Sequence, residues 1–252
     1  MIPLGVFILG PGGVGKTSLV KALIDLTVEN DIRCAAVNLD PGCAFIPFQT
    51  IFDARDIATV DGLMVSERVG PNYAMIEAFS RVIAARSKIF KAIIDFKPEI
   101  VYFDTPGQME VFLFNHDTPV LLSELSDFVK PIGIFIMDNM MVKDVAKLAV
   151  TELLSISFQL HLAIPMVTVI NKVDLGIPAD MDRMVKDTGY LLGKVAGEKT
   201  GLEKDLIMDL IPKIRDIRGS TRVVYTSTSL GSGIRDLFNI VHEAFCACGD
   251  LT

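Results

Sequence analysis

A glycine-rich run near the start of the chain is the first feature with chemical meaning. Residues 10–17 read Gly-Pro-Gly-Gly-Val-Gly-Lys-Thr, which matches the spacing of a phosphate-binding loop. An apolar run of strand length precedes this loop, and a helical pattern follows it. Glycines allow backbone N–H groups to wrap a phosphate, and the N-terminus of the following helix faces the negative charge. We therefore predict a nucleoside triphosphate site formed by Gly12, Gly13, Val14, Gly15, Lys16, Thr17 and Ser18.

Acidic residues at the ends of two other apolar runs predict a magnesium site beside this loop. Asp104 follows the run 100–103, and Asp40 follows the run 34–39. In phosphate-loop enzymes, a hydroxyl at the end of the loop and an aspartate after a buried strand hold Mg²⁺, while the loop lysine reaches the β and γ phosphates. We expect Lys16 to take this phosphate role. The residues expected around the metal are Thr17, Asp104 and Asp40.

The residues after Asp104 predict the part of the site that meets the terminal phosphate. Residues 104–107 have the D-x-x-G spacing of GTPases, in which the amide of Gly107 would sense the γ phosphate. Gln108 comes next, and Glu110 follows two residues later. A carboxylate beside a triphosphate is unfavourable unless a metal or a water proton engages it. The candidates for positioning an attacking water are therefore Asp40, Gln108 and Glu110.

A tetrapeptide after a later apolar run predicts which base is bound. Residues 171–174 read Asn-Lys-Val-Asp and directly follow the run 166–170. The carboxylate of Asp174 can accept hydrogen bonds from guanine N1–H and the guanine 2-amino group together, whereas adenine offers neither donor. Asn171, Lys172 and Asp174 therefore indicate a guanine site. The expected ligands are GTP or GDP with Mg²⁺.

The elements that would position these residues alternate along the chain. Apolar runs of strand length occupy 2–9, 34–39, 100–103, 132–137, 166–170 and 222–225, and helical patterns lie between them. One pattern, from Met75 to Ile94, fits a single longer helix. Apolar strands separated by helices indicate a parallel sheet covered on both faces, with its ligand beyond the carboxyl ends of the strands. We predict the α/β fold class, as a phosphate-loop NTPase with three α/β/α layers, a mostly parallel central sheet and helical insertions.

Composition and net charge narrow the possible classes of protein further. The chain has 252 residues, of which 50% are apolar and 22% charged, so intrinsic disorder is excluded and a single domain over 1–252 is favoured. A net charge of −7 argues against a general affinity for nucleic-acid phosphates or for an anionic membrane. The longest charge-free stretch, 153–171, contains Pro165 and is better explained as a helix end, a break and a strand than as a membrane span. With four cysteines and no targeting signal, we expect a cytoplasmic protein.

Five blocks in a fixed order carry a resemblance to a known family. They are residues 10–17, Asn-Leu-Asp-Pro-Gly at 38–42, Gly-Pro-Asn at 70–72, residues 104–110 and residues 171–174. With these blocks, the chain resembles the GPN-loop GTPases, small dimeric phosphate-loop proteins of archaea and eukaryotes, over essentially its whole length. The resemblance implies a homodimeric switch of the archaeal type that binds and hydrolyses GTP. It also implies insertions at about 41–98, carrying the tripeptide, and at about 177–219.

The resemblance assigns further roles. In the family, the tripeptide of one subunit enters the nucleotide site of its partner, so Asn72 is expected to act in trans near the γ phosphate or the attacking water. No arginine finger is supplied in this family. Where many GTPases have Ser-Ala-Lys, this chain has Thr226-Ser227-Thr228, which predicts backbone contacts to guanine without the lysine. Because eukaryotic relatives are associated with RNA polymerase assembly, a polymerase or an assembly factor is the expected client.

Two alternative functions stay open from the sequence. A ParA- or MinD-like dimeric ATPase shares this architecture, but such ATPases place a signature lysine where this chain has Pro11. A nucleotide-dependent scaffold with negligible turnover is compatible with the same binding residues. A zinc site at Cys246 and Cys248 is disfavoured, since a lone C-x-C pair lacks two further ligands, and we expect reduced thiols there.

Overall fold

A computed structural model describes residues 2–218 and 223–247 and has a parallel sheet of seven strands at its centre. The strands are β1 Leu4–Leu9, β2 Cys34–Asn38, β3 Phe52–Asp53, β4 Ile100–Asp104, β5 Lys130–Asp138, β6 Met166–Asn171 and β7 Val223–Tyr225. Their order across the sheet is β3-β2-β4-β1-β5-β6-β7, and all neighbouring pairs run parallel. The predicted fold class is confirmed.

Helices connect these strands in the described part of the chain. They are α1 Lys16–Glu29, α2 Val60–Glu67, α3 Pro71–Ala84, α4 Arg86–Phe96, α5 Met109–Leu113, α6 Thr118–Leu125, α7 Val145–Leu162, α8 Met181–Lys186, α9 Thr188–Glu198, α10 Gly201–Arg218 and α11 Ile234–Ala247. Helices α2–α4 lie within 41–98, and α8–α10 lie within 177–219. That these two ranges are insertions into one domain stays a prediction. Cys246 lies in α11, whereas Cys248 lies outside the described residues.

The alternation of side chains along the strands supplies a core on each face of the sheet. On one face, Phe7 and Phe103 stack with ring centroids 4.2 Å apart, and α3, α4, α6, α7 and the α8–α10 segment cover them. On the other face, Val6 and Tyr102 pack under α1 and α11. Both faces are buried, which explains why these strands read as unbroken apolar runs.

The prediction of a single continuous helix from Met75 to Ile94 is wrong. The structure has two helices, α3 and α4, separated at Ala85, whose φ of −89° and ψ of 13° leave the helical range. The apolar period survives the break because both helices face the same sheet. The break does change the buried side chains, since Ile89 is fully buried and Ile94 is half exposed.

Helix α7 accounts for the long apolar stretch near the middle of the chain. By length and composition, it is the one helix among the described residues that could cross a membrane. It packs on the sheet, however, with the rings of Phe158 and Phe135 5.3 Å apart. The helix ends at Ala163 in the left-handed region, and β6 begins just after Pro165. The predicted helix end, break and strand are confirmed.

The parallel register brings chemically active residues to one edge of the sheet. Asn38 at the end of β2 is paired with Asp104 at the end of β4 and with Asp53 at the end of β3. Asp138 at the end of β5 is paired with Asn171 at the end of β6. The phosphate loop leaves β1 between these two groups. Ligands of such sheets bind beyond this edge.

Candidate functional site

The loop between β1 and α1 has the backbone of a phosphate cradle. Gly10 and Gly15 have φ values of 153° and 100°, and a Cβ at Gly10 would lie 2.2 Å from the carbonyl oxygen of Ile136. These positions therefore require glycine. The first turn of α1 has no side-chain cap, so its N–H groups are available to an anion. Gly12, Gly13 and Ser18 are exposed at the same end of the helix.

Lys16 crosses this loop as the first residue of α1. Its Nζ donates to the carbonyl oxygens of Gly10 and Pro11, both at 2.9 Å. Burial lowers the pKa of Lys16, while the nearby carboxylates of Asp104 and Asp40 oppose that effect. The ammonium is therefore held in the bend of the loop, where phosphate oxygens would replace the two carbonyls.

Thr17 and Asp104 form a pair of oxygen donors behind the lysine. The Thr17 hydroxyl donates to Asp104 Oδ2 at 2.7 Å, while Asp104 Oδ1 is buried without a hydrogen-bond partner. Burial raises the pKa of Asp104 to about 6, so its negative charge, although bonded to Thr17 and close to Lys16, needs further compensation. A hard cation would supply that compensation, so the residues fit Mg²⁺. Within residues 2–218 and 223–247, no cluster of three His, Cys, Asp or Glu could hold a metal ion alone.

Asp40 faces the same crevice from the end of β2. Its Oδ1 accepts from Gly42 N at 2.8 Å, and its Oδ2 accepts from Gly107 N at 3.3 Å. Burial raises the pKa of Asp40 despite these bonds. Together with Gln108 and Glu110, which are exposed, Asp40 lines a cavity of about 500 Å³ over the phosphate loop. The structure thus brings together the carboxylates and the glutamine that the sequence singles out.

Asn72 lies beside this cavity rather than in it. Gly70 is the N-cap of α3, and Pro71 and Asn72 are its first two residues, so the tripeptide starts a helix instead of forming only a turn. Asn72 lines a neighbouring cavity of about 520 Å³ with Gln108 and Glu110 of the same chain. Ile76 and the strongly exposed Phe114 continue the wall of this second cavity.

The predicted base-reading residues meet on the opposite side of the phosphate loop. Asn171 is fully buried, and its amide donates to Val14 O at 2.9 Å and accepts from the Thr226 hydroxyl at 3.0 Å. Lys172 donates to Gly13 O at 2.6 Å. Asn171 and Lys172 therefore fasten the phosphate loop to the segment that would hold the base.

Asp174 projects at the exposed end of this segment. Its Oδ2 accepts from the Ser229 hydroxyl at 3.2 Å, and the hydroxyls of Ser227 and Ser229 hold its pKa below the usual range. Ser227 is buried, and its N–H donates to Ser232 O at 3.0 Å, which closes the loop after Thr226. The carboxylate is therefore charged and bonded to a group that a base can displace.

The structure places at the site three residues to which no role was assigned from the sequence. Asp138 lies 3.5 Å from Lys172 Nζ, and it follows an apolar run just as Asp40 and Asp104 do, so the same signal could have identified it. Ser229 belongs to no recognisable pattern beyond its place in a loop, and Asn38 is part of the block 38–42, to which the resemblance gives no role for this residue. Their roles become visible only through their partners.

The chain is similar to known proteins over most of its length. A family model described as a conserved hypothetical ATP binding protein matches residues 8–247. The chain is 29% identical to GPN-loop GTPase PAB0955 of Pyrococcus abyssi, over 98% of this chain and 99% of that protein. It is also 29% identical to GPN-loop GTPase 3 of Saccharomyces cerevisiae, over 73% of this chain and 68% of that one. The crystal structure of PAB0955 in its apo form superposes with a TM-score of 0.86, covering 97% of this chain and 98% of that chain at 27% identity.

Proposed function

The chain belongs to the GPN-loop GTPase family, and we propose that it binds GTP and GDP with Mg²⁺ and hydrolyses GTP to GDP and phosphate at the site described above. The family model's description names ATP, whereas the relatives' names specify GTPase. The position of Asp174 favours GTP, because its charged carboxylate would be left without donors by adenine. This carboxylate, fixed to the phosphate loop through Asn171, is the observation that carries the proposal.

Different residues of the site would perform different parts of the hydrolysis. Lys16 and the N–H groups of the loop would hold the β and γ phosphates. Thr17 and Asp104 would hold Mg²⁺, which neutralises charge developing on the phosphate oxygens. Gly107 N would contact the γ phosphate. The groups left to orient water are Asp40, Gln108 and Glu110, which line the cavity over the loop.

Nucleotide selectivity tests this function directly. GTP and GDP are expected to bind with Mg²⁺ at affinities far above those of ATP and ADP, and GTP should be converted to GDP in steady state. Asp174→Asn should weaken guanine binding and admit xanthine nucleotides, whose 2-oxo group restores the complementarity. Asp95→Asn, which alters an exposed carboxylate paired with Lys91, is the matched control and should bind as the wild type does. Equal affinities for ATP and GTP in the wild type would refute the guanine site, and binding without turnover would favour the scaffold alternative.

We propose further that two copies of the chain complete each other's sites through Asn72. Tyr73, Ile76 and Phe114 leave an apolar surface exposed around Asn72, which is a common feature of protein interfaces. An asparagine amide can donate to a phosphate oxygen and accept from water without adding charge. In a two-fold dimer, each subunit would give Asn72 and receive its counterpart.

Mixing two defective variants tests the trans arrangement. Asn72→Ala and Lys16→Ala homodimers should both be slow. In a mixed dimer, the site on the Asn72→Ala subunit keeps its own Lys16 and receives Asn72 from its partner, so activity should reappear. No recovery despite demonstrated subunit exchange would contradict trans completion. It would instead favour action of Asn72 on Gln108 and Glu110 within its own chain, whose cavity it already lines.

The proposal also includes a client protein. The resemblance favours RNA polymerase or an assembly factor, in the cytoplasm, and the net charge of −7 favours a protein over a nucleic acid as the direct partner. A pull-down with Gln108→Ala loaded with GTP, compared with the same protein loaded with GDP, tests this. Polymerase subunits retained only in the GTP state would support the proposal, and equal recovery with both nucleotides would contradict it.

A further inference from the structure

A second polar network lies behind Asp40 and centres on Asn38. Asn38 is the last residue of β2, and its side chain is 0% exposed. Its Oδ1 accepts from Asp40 N at 2.9 Å, and its Nδ2 donates to Asp40 O at 3.1 Å. The same Nδ2 donates to Asp53 Oδ1 at 2.9 Å. One buried amide therefore holds both backbone polar groups of Asp40.

Asp53 determines which way the Asn38 amide points. A carboxylate only accepts hydrogen bonds, so it must face Nδ2, and Oδ1 is thereby turned toward Asp40 N. Asp53 is itself fixed by Arg55, whose Nε and Nη2 donate to it and whose backbone N–H donates to Asp53 Oδ1. The chain of contacts thus runs from Arg55 through Asp53 and Asn38 to Asp40.

Anchoring of the Asp40 backbone bears on its carboxylate. Because the backbone N and O of Asp40 are both bonded to Asn38, the Asp40 side chain can move only by rotation about its own torsions. The carboxylate then reaches Gly42 N and Gly107 N at the wall of the phosphate cavity. Without Asn38, the loop 40–42 would lose two of the contacts that set the distance from Asp40 to the phosphate loop.

We propose that Asn38 is a positioning residue for GTP hydrolysis, which acts by holding Asp40 in register with the γ phosphate, and that Asp53 and Arg55 fix the orientation of its amide. This inference rests on the role proposed for Asp40. Displacement of a catalytic group by about 1 Å can slow a reaction about 100-fold. Since the side-chain hydrogen bonds of Asn38 go to Asp40 and Asp53 and not to the phosphate-loop residues 12–18, its removal should slow turnover with little change in GTP affinity.

A double-mutant cycle separates positioning from general stabilisation. We expect Asp40→Ala to lower kcat about 100-fold and Asn38→Ala to lower it 10- to 100-fold, each with GTP affinity within about threefold of the wild type. If Asn38 acts through Asp40, the double variant should be no slower than Asp40→Ala alone. A double variant slowed by the product of the two effects, or an Asn38→Ala protein with wild-type kcat, would overturn the inference. A wild-type rate for Asp40→Ala would refute the proposed role of Asp40 and remove the basis of the inference with it.

Two further variants guard against a trivial explanation. Thr27→Val removes a fully buried hydroxyl that bonds to Leu23 O and to Tyr102 OH, and neither Thr27 nor Tyr102 lines the two cavities at the site, so it should lower Tm and leave kcat unchanged. If Asn38→Ala does not fold, Arg55→Ala replaces it, since Arg55 is partly exposed. We expect Arg55→Ala to lower kcat severalfold in the wild-type background and not at all in the Asp40→Ala background. Equal slowing in both backgrounds would overturn the inference.

Discussion

Replacement of Asp104 by asparagine should stabilise the protein in the absence of nucleotide while disabling the proposed metal site. Asp104 is 1% exposed, its Oδ1 has no partner, and burial raises its pKa from 3.8 to about 6. A rise of that size corresponds to about 3 kcal/mol of destabilisation by the charged carboxylate at pH 8. Asparagine removes the charge and still accepts from Thr17, but its N–H gains no partner. The expected increase in the free energy of unfolding is therefore about 1–3 kcal/mol.

Urea unfolding without nucleotide and in the presence of a chelator measures this difference. The folded pKa of Asp104 lies above its unfolded value, so the carboxylate destabilises the wild type at high pH, and the loss is recovered as pH falls from 8 through 6 toward 3.8. The destabilisation by the charged carboxylate should shrink to about half at pH 5, and the advantage of the variant should fall by the same amount in kcal/mol. With Mg²⁺ and GDP, the wild type should gain stability and the variant much less. An Asp104→Asn protein that is less stable than the wild type at pH 8 would refute the reasoning.

The remaining predictions concern catalysis and packing. Three variants test the positioning of water: Asp40→Ala, Gln108→Ala and Glu110→Ala. Each should hydrolyse GTP more slowly and keep a GTP affinity within severalfold of the wild type, as turnover and binding measurements will show. If all three hydrolyse GTP at the wild-type rate, the water-positioning assignment is wrong. Lys16→Ala should abolish productive binding of triphosphate, as checked by titration with a non-hydrolysable GTP analogue. Glu152→Ala should lower the free energy of unfolding by about 3 kcal/mol, because the largely buried Arg215 of α10 loses its carboxylate partner on α7 and keeps only the neutral acceptors of Met184 and Thr188. Unchanged urea stability would contradict that estimate.

Much of the fold and site was predictable because parallel sheets translate sequence into position. Each apolar run became a strand, and residues just after a run came to the same edge. Asp40 and Asp104 were identifiable for this reason. The phosphate loop adds backbone requirements of its own, since Gly10 and Gly15 occupy conformations that other residues rarely adopt. Local chemistry and global topology point to the same site here.

The features that the sequence left hidden depend on contacts between distant segments. Hydrophobic period cannot distinguish one helix from two that cover the same face, so the break at Ala85 escaped notice. Asn38 gains its role only when the short β3 brings Asp53 beside it. Ser229 matters only because its loop folds back on Asp174. None of these pairings has a fixed spacing along the chain, and a pattern search has nothing to detect.

Hydrogen bonds within the chain hold the polar groups of the proposed nucleotide site in place. The Lys16 ammonium donates hydrogen bonds to two carbonyl oxygens, and Asp174 accepts one from a serine hydroxyl. The Asp40 carboxylate accepts from Gly107 N, where a γ phosphate oxygen is expected. Binding of GTP would exchange these hydrogen bonds for others of similar strength, so the site is organised in advance and the net gain per contact is modest. Asp104 Oδ1 is the exception, because it has no substitute partner. The exchange is therefore most favourable at the metal position, and Mg²⁺ should contribute more to nucleotide affinity than any single phosphate contact.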